Sequence, residues 1–86
     1  MIYLYTLDNC EKCDDMRTCL NNMGIVYSEV KFKNLDALFD KFKDHLYIIG
    51  APVLVVNDVY YDEPCLFDGD LVRSDIITLF ENYMDG

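Results

Sequence analysis

Four cysteines stand at positions 10, 13, 19 and 65, and only the first two are spaced for shared chemistry. In Cys10-Glu11-Lys12-Cys13 a two-residue spacer lets both sulfurs approach each other on one helical turn, whereas Cys19 lies too far along to close that small ring. The chemistry open to such a pair is thiol–disulfide exchange. The Cys10 thiolate attacks a substrate disulfide, and Cys13 then attacks the mixed disulfide, releasing reduced substrate and closing a Cys10–Cys13 bond. This cycle needs no bound metal or organic cofactor.

The elements around the pair make that assignment specific. Ile2 to Leu7 is a β-branched and aromatic run of strand length, ended by the turn-prone Asp8-Asn9. From Glu11 to Met23 the apolar positions Cys13, Met16, Leu20 and Met23 recur at helical steps, and Gly24 follows as a stop. Cys10 therefore falls between a strand and a helix N-terminus, where unpaired N–H groups and the helix dipole stabilise a thiolate. Cys13, one turn further in beside Met16 and Leu20, is expected to be less exposed.

Further along, Val26 to Phe32 alternates as a half-exposed strand with Val26, Ser28, Val30 and Phe32 on one face. Asn34 can cap a second helix carrying Leu35, Leu38, Phe39, Phe42 and Leu46 as one stripe. Pro52 to Val56 and Val59 to Tyr61 read as strands joined by Asn57-Asp58, a pair that accepts the positive φ angles of a two-residue hairpin. After a loop with Glu63-Pro64 and Asp68-Gly69-Asp70, the residues Leu71, Val72, Ile76, Leu79, Phe80 and Tyr83 mark a third helix. The order is β-α-β-α-β-β-α, an α/β fold. The helix crossover makes the first two strands parallel and the hairpin makes the sheet mixed, four-stranded and flanked by three helices.

Residues 1–86, at 10.1 kDa, amount to a single domain. With 52% apolar content and 14% aromatics the chain can form its own core despite its small size. Seven Lys and Arg against 16 Asp and Glu give −9, which disfavours nucleic acid and anionic lipid as partners. The longest uncharged apolar stretch, Leu46 to Val56, is too short for a membrane span. The N-terminal run lacks the basic head and cleavage site of a secretion signal, so a cytoplasmic location is expected.

Blander readings attach to the remaining groups. Cys19 reads as a small hydrophobe on the first helix, Cys65 as a structural or incidental residue in a loop or strand end, and His45 as an exposed cation near a helix end. Cys10, Cys13, Cys19, Cys65 and His45 could be counted as a zinc site, but a second short-spaced pair is missing and no metal is expected. Asp8, Glu11, Asp14 and Asp15 surround Cys10 with Lys12 and Arg17 opposing them, and carboxylates raise a thiol pKa. Cys10 is therefore expected to be only weakly acidified and the pair comparatively reducing.

Over nearly its whole length the sequence resembles the glutaredoxins, small proteins of thioredoxin-like fold. The resemblance is carried by Tyr5-Thr6-Leu7-Asp8-Asn9 followed by Cys10-Glu11-Lys12-Cys13, by Gly50-Ala51-Pro52-Val53, and by Phe67-Asp68-Gly69-Asp70. It implies that Pro52 is cis and faces the cysteines, and that Ala51 offers backbone hydrogen bonds to a substrate cysteine. It also implies that Gly69 and Asp70 bind the γ-glutamyl end of glutathione, the reductant usual in the family. The same two residues could instead turn the chain and cap the last helix.

Departures from the family pattern shift the expected partners. Glu11-Lys12 replaces the usual Pro-Tyr, and Leu7 stands where a basic residue precedes the first cysteine. The paired glycines of the last loop are reduced to Gly69. A chain of net charge −9 with Leu7 in place of that cation is expected to bind anionic glutathione less well unless Lys12 or Lys33 substitutes. These departures resemble the glutaredoxin-like hydrogen donors of ribonucleotide reductase, found in bacteria and bacteriophages, some of which take electrons from thioredoxin reductase. The resemblance thus implies a monomeric carrier acting on protein disulfides, in the host cytoplasm if phage-encoded. A rival within the family is a [2Fe–2S] cluster held between two subunits.

Overall fold

The computed structural model describes residues 1–44, 48, 50–69 and 71–85. The expectations for His45, Leu46 and Asp70 lie outside the described residues. The elements in chain order are β1 (Ile2–Leu7), α1 (Glu11–Asn22), β2 (Ser28–Phe32), α2 (Leu35–Lys41), β3 (Val53–Val56) and β4 (Val59–Tyr61). There follow α3 (Glu63–Leu66), β5 (Phe67–Asp68), β6 (Leu71–Val72) and α4 (Ser74–Asp85).

The four-stranded sheet runs in the order β2-β1-β3-β4, with β1 parallel to β2 and antiparallel to β3, and β3 antiparallel to β4. This is the mixed sheet expected from the element order. The period-two geometry of strands divides the core into two layers. Ile2 and Leu4 of β1 with Leu54 and Val56 of β3 meet Met16 and Leu20 of α1 and Ile76 and Phe80 of α4. Val53 and Val55 meet Leu38 and Phe42 on the other face, with Tyr3, Tyr5, Leu7 and Ala51 alongside. The ring of Phe42 stands edge-on to Tyr5 and Tyr60, with centroids 4.9 and 5.8 Å away. The architecture is thioredoxin-like, and among the described residues no helix is long and apolar enough to cross a membrane.

Local stops follow the side chains. Helix α1 ends in a Schellman motif, with the Gly24 N–H donating to the Asn21 carbonyl and the Ile25 N–H to the Leu20 carbonyl. Gly24 takes φ +69°, which a side chain would oppose, and Ile25 buries itself in the same core as Leu20. Asn34 caps α2 by accepting from the Ala37 N–H at 2.9 Å. Asn57 and Asp58 both take positive φ between β3 and β4, as their residue types predict.

Four expectations need correction. Leu71 and Val72 belong to β6, paired with Phe67 and Asp68 of β5, so the last helix begins at Ser74. The segment Glu63–Leu66, read as loop, is a single helical turn with Pro64 in its first turn, where proline's fixed φ and missing N–H cost nothing. Cys65 is in that turn, and the helices number four among the described residues. Helix α2 stops at Lys41, and of its stripe Leu35 and Phe39 remain exposed while Leu38 and Phe42 are buried. Val26 lies outside β2 and is 91% exposed, because β2 is an edge strand with little packed over it.

One polar network ties β1, α1 and β2 together. Arg17 donates from Nε to both Glu29 oxygens at 2.9 and 3.0 Å and from Nη2 at 2.8 Å, and also pairs with Asp14. The buried Thr6 hydroxyl donates to Glu29 at 2.7 Å. The Arg17 hydrogen bonds, helped by Thr6, hold the Glu29 carboxyl below its ordinary value of 4.5 against the opposing effect of burial. Because the folded pKa is the lower one, the stabilisation is complete above the ordinary value and fades as pH falls through the depressed one. Glu29→Gln should cost about 0.5–1 kcal/mol at neutral pH, since the carboxylate, 26% exposed, keeps part of its hydration. Urea midpoints across a pH series check this: the gap from the unsubstituted chain closes in acid, and an equal gap at every pH contradicts it.

Candidate functional site

The β1–α1 turn places the cysteine pair at the end of the sheet. Asn9 takes φ +55°, a conformation asparagine tolerates better than most residues, and turns the chain into the helix. Cys10 is the N-cap residue of α1, in extended conformation, and its Sγ accepts from the Cys13 backbone N–H at 3.2 Å. A capping position normally holds an oxygen; here a sulfur receives the helix's orphan donor and its positive end. Cys10 and Cys13 are joined in a disulfide with their Cα atoms 5.2 Å apart. Cys13 is fully buried and Cys10 partly accessible, so the two sulfurs are unequal in the way an attacking and a resolving thiol require.

Cys10 opens onto a cleft of about 410 Å³ lined by Leu7, Asp8, Asn9, Lys12, Leu35, Gly50, Ala51 and Glu63. Ala51 is thus brought to the cysteine, and the Ala51–Pro52 peptide is cis; Pro52 itself is fully buried and is not among the cleft's lining residues. The other residues singled out from the sequence are placed differently. Gly69, at φ +64°, turns the chain after β5 and is not among the cleft's lining residues. A separate hollow of about 260 Å³ lies beside that turn, lined by Asp68, Leu71, Val72, Arg73, Ser74 and Asp75.

Lys12, Arg17 and Lys31, near the pair, are each engaged by a carboxylate. Lys12 pairs with Glu63 and sits 5.5 Å from the Phe67 ring centroid. Arg17 is committed to Glu29 and Asp14, and Lys31 lies 3.9 Å from Asp8. Cys10 therefore draws stabilisation from the helix N-terminus while its neighbouring cations are offset by carboxylates. The two remaining thiols face the other way chemically: burial pushes the Cys19 thiol up, and burial with the Asp62 carboxylate pushes up that of Cys65. Among the described residues, no group of three or more His, Cys, Asp or Glu is placed to hold a metal ion.

The glutaredoxin family model matches residues 2–61, which contain the whole four-stranded sheet, the cysteine pair and the cis-proline. The chain belongs to the glutaredoxin family. Among solved structures, this glutaredoxin-family protein is similar to NrdH-redoxin from Escherichia coli, described as a glutaredoxin-like protein with a thioredoxin-like activity profile. The likeness has a TM-score of 0.55 at 19% identity and covers 71% of this chain and 79% of that one, so it is a likeness of fold. No curated protein matches the sequence.

Sequence reasoning missed Glu63 and Leu35 as neighbours of Cys10. Leu35 was read as part of a core-facing stripe, and its exposure next to the cleft follows only from where α2 is docked. Glu63 is 51 residues from Lys12, and no local pattern links residues at that separation. The one available signal was the Glu63-Pro64 dipeptide, which fits the start of a helical turn and thus aims a carboxylate back from that start.

Proposed function

We propose that this protein is a dithiol–disulfide oxidoreductase that reduces protein disulfides through Cys10 and Cys13 as an electron donor of the ribonucleotide-reductase type. The observation that carries the reading is the partly exposed Cys10 sulfur at the N-terminus of α1, closed on a buried Cys13 and opening on a cleft shared with Ala51. Reduced Cys10 attacks one sulfur of the substrate disulfide, whose other sulfur leaves as thiolate and is protonated. Cys13, losing its proton, then attacks Cys10 in the mixed disulfide, and the second substrate sulfur departs. Two electrons pass from the pair to the substrate. Ala51 is assigned the backbone contacts to the substrate cysteine, and Pro52 fixes that backbone.

Thioredoxin reductase is the electron source we assign. Three points support it over glutathione: Leu7 occupies the place of the family's usual cation, Lys12 is paired with Glu63, and the Gly69 turn lies outside the Cys10 cleft. The fold-level likeness to a protein described as thioredoxin-like in activity agrees with that choice. The test is to oxidise the protein and regenerate it either with thioredoxin reductase and NADPH or with glutathione and glutathione reductase. Faster regeneration by the first system is expected. Faster regeneration by the second returns the protein to glutathione-coupled chemistry, with Lys12 and Gly69 as its contacts.

A further inference from the structure

The residues lining the Cys10 cleft include one cation, Lys12, and two carboxylates, Asp8 and Glu63. Lys12 is held from two sides, by the Glu63 carboxylate and by the face of Phe67. Both holders come from the segment after β4, and both draw the ammonium toward α3 and β5. The Lys12 and Glu63 side chains are 34% and 28% exposed, so their mutual attraction is only partly screened by water. The remaining cleft carboxylate, Asp8, lies 3.9 Å from Lys31. Among the described lining residues, a small disulfide bearing its own carboxylates meets no uncompensated positive charge, on a protein whose net charge is −9.

We infer that Glu63 is a selectivity residue which, by engaging Lys12, turns the Cys10 cleft away from anionic disulfides such as oxidised glutathione and toward disulfides in neutral or basic protein segments. Glu63 is a positioning residue: it touches no reacting atom and works through the charge of Lys12. The inference rests on the oxidoreductase reading above and deepens it. The step it modulates is balanced as written there, with a new Cys10–sulfur bond replacing the substrate's S–S bond and the electron pair leaving on the second sulfur.

The test uses the reduced Cys13→Ser chain, in which a mixed disulfide at Cys10 persists. Its rates of modification by oxidised glutathione, which is anionic, and by the neutral hydroxyethyl disulfide are followed by intact mass and peptide mapping. Glu63→Gln should raise the glutathione rate about three- to tenfold, leave the neutral rate within about twofold, and lose most of its effect in high salt. In a Lys12→Gln background the gain from Glu63→Gln should fall below about twofold. Circular dichroism confirms that each variant folds. Equal acceleration of both disulfides, an unchanged rate ratio, or an undiminished gain without Lys12 overturns the inference. The chain retaining Glu63 reports on the parent reading separately. A Cys10 inert to the neutral disulfide removes the oxidoreductase function and the inference together, whereas a reactive Cys10 with an unchanged ratio removes only the role of Glu63.

Discussion

Replacing Cys10 with serine is expected to lower the rate of protein-disulfide reduction by about three orders of magnitude or more. A serine hydroxyl stays protonated at neutral pH and cannot form a mixed disulfide, so the first bond of the cycle is never made. Cys13 cannot take over, because it is fully buried on the core side of α1 and no protein disulfide reaches its sulfur. Cys19 and Cys65 are poor substitutes: each stands alone without a partner cysteine at short spacing, and both thiols are pushed up, Cys19 by burial and Cys65 by burial together with the Asp62 carboxylate. Cys65→Ser should therefore stay within about twofold of the unsubstituted rate. Insulin-disulfide reduction measures both variants. Substantial activity in Cys10→Ser contradicts the assignment of the nucleophile.

Replacing Phe80 with alanine is expected to destabilise the domain by about 3–5 kcal/mol. Phe80 is fully buried and sits in one cluster with Leu4 of β1, Leu20 of α1, Leu54 of β3 and Leu66 of α3. Those elements come from four parts of the chain, so none can move alone to fill the void. Domains of this size hold only about 5–15 kcal/mol in total, and one such cavity consumes much of the margin. The family match ends at Tyr61, yet Leu66, Phe67, Ile76 and Phe80 beyond it all lie in the core that contains Met16 and Leu20. A chain ending at Tyr61 should consequently fail to fold, and with it the platform that positions Cys10. Urea unfolding followed by circular dichroism checks the substitution, and a cost below about 1 kcal/mol contradicts this view of the core.

The strongest local signals in the sequence translated directly into structure. The cysteine pair at a strand–helix junction, the Asn34 cap, the Gly24 stop and the Asn57-Asp58 hairpin each depend on residues within a few positions of one another. The parallel β1–β2 pair followed from element order alone. The failures have equally physical causes. Leu71-Val72 is too short an apolar run to show its period, and its proximity to Ile76 suggested a helix. Gly69, at positive φ between Phe67 and Leu71, was the hairpin signal that outweighed it. The stripe on α2 predicted burial for Leu35 and Phe39, but a short helix over one sheet face covers only Leu38 and Phe42. The Lys12–Glu63 pair depends on how two distant segments dock, which no local pattern encodes.

The central claim is that Cys10 attacks and Cys13 resolves. Its most direct test is to mix reduced Cys13→Ser protein with a protein disulfide and follow intact mass, with peptide mapping of the adduct. The account predicts a stable mixed disulfide located at Cys10, while the unsubstituted chain passes through it and ends with Cys10 joined to Cys13. An adduct at Cys19 or Cys65, or no adduct at all, contradicts it.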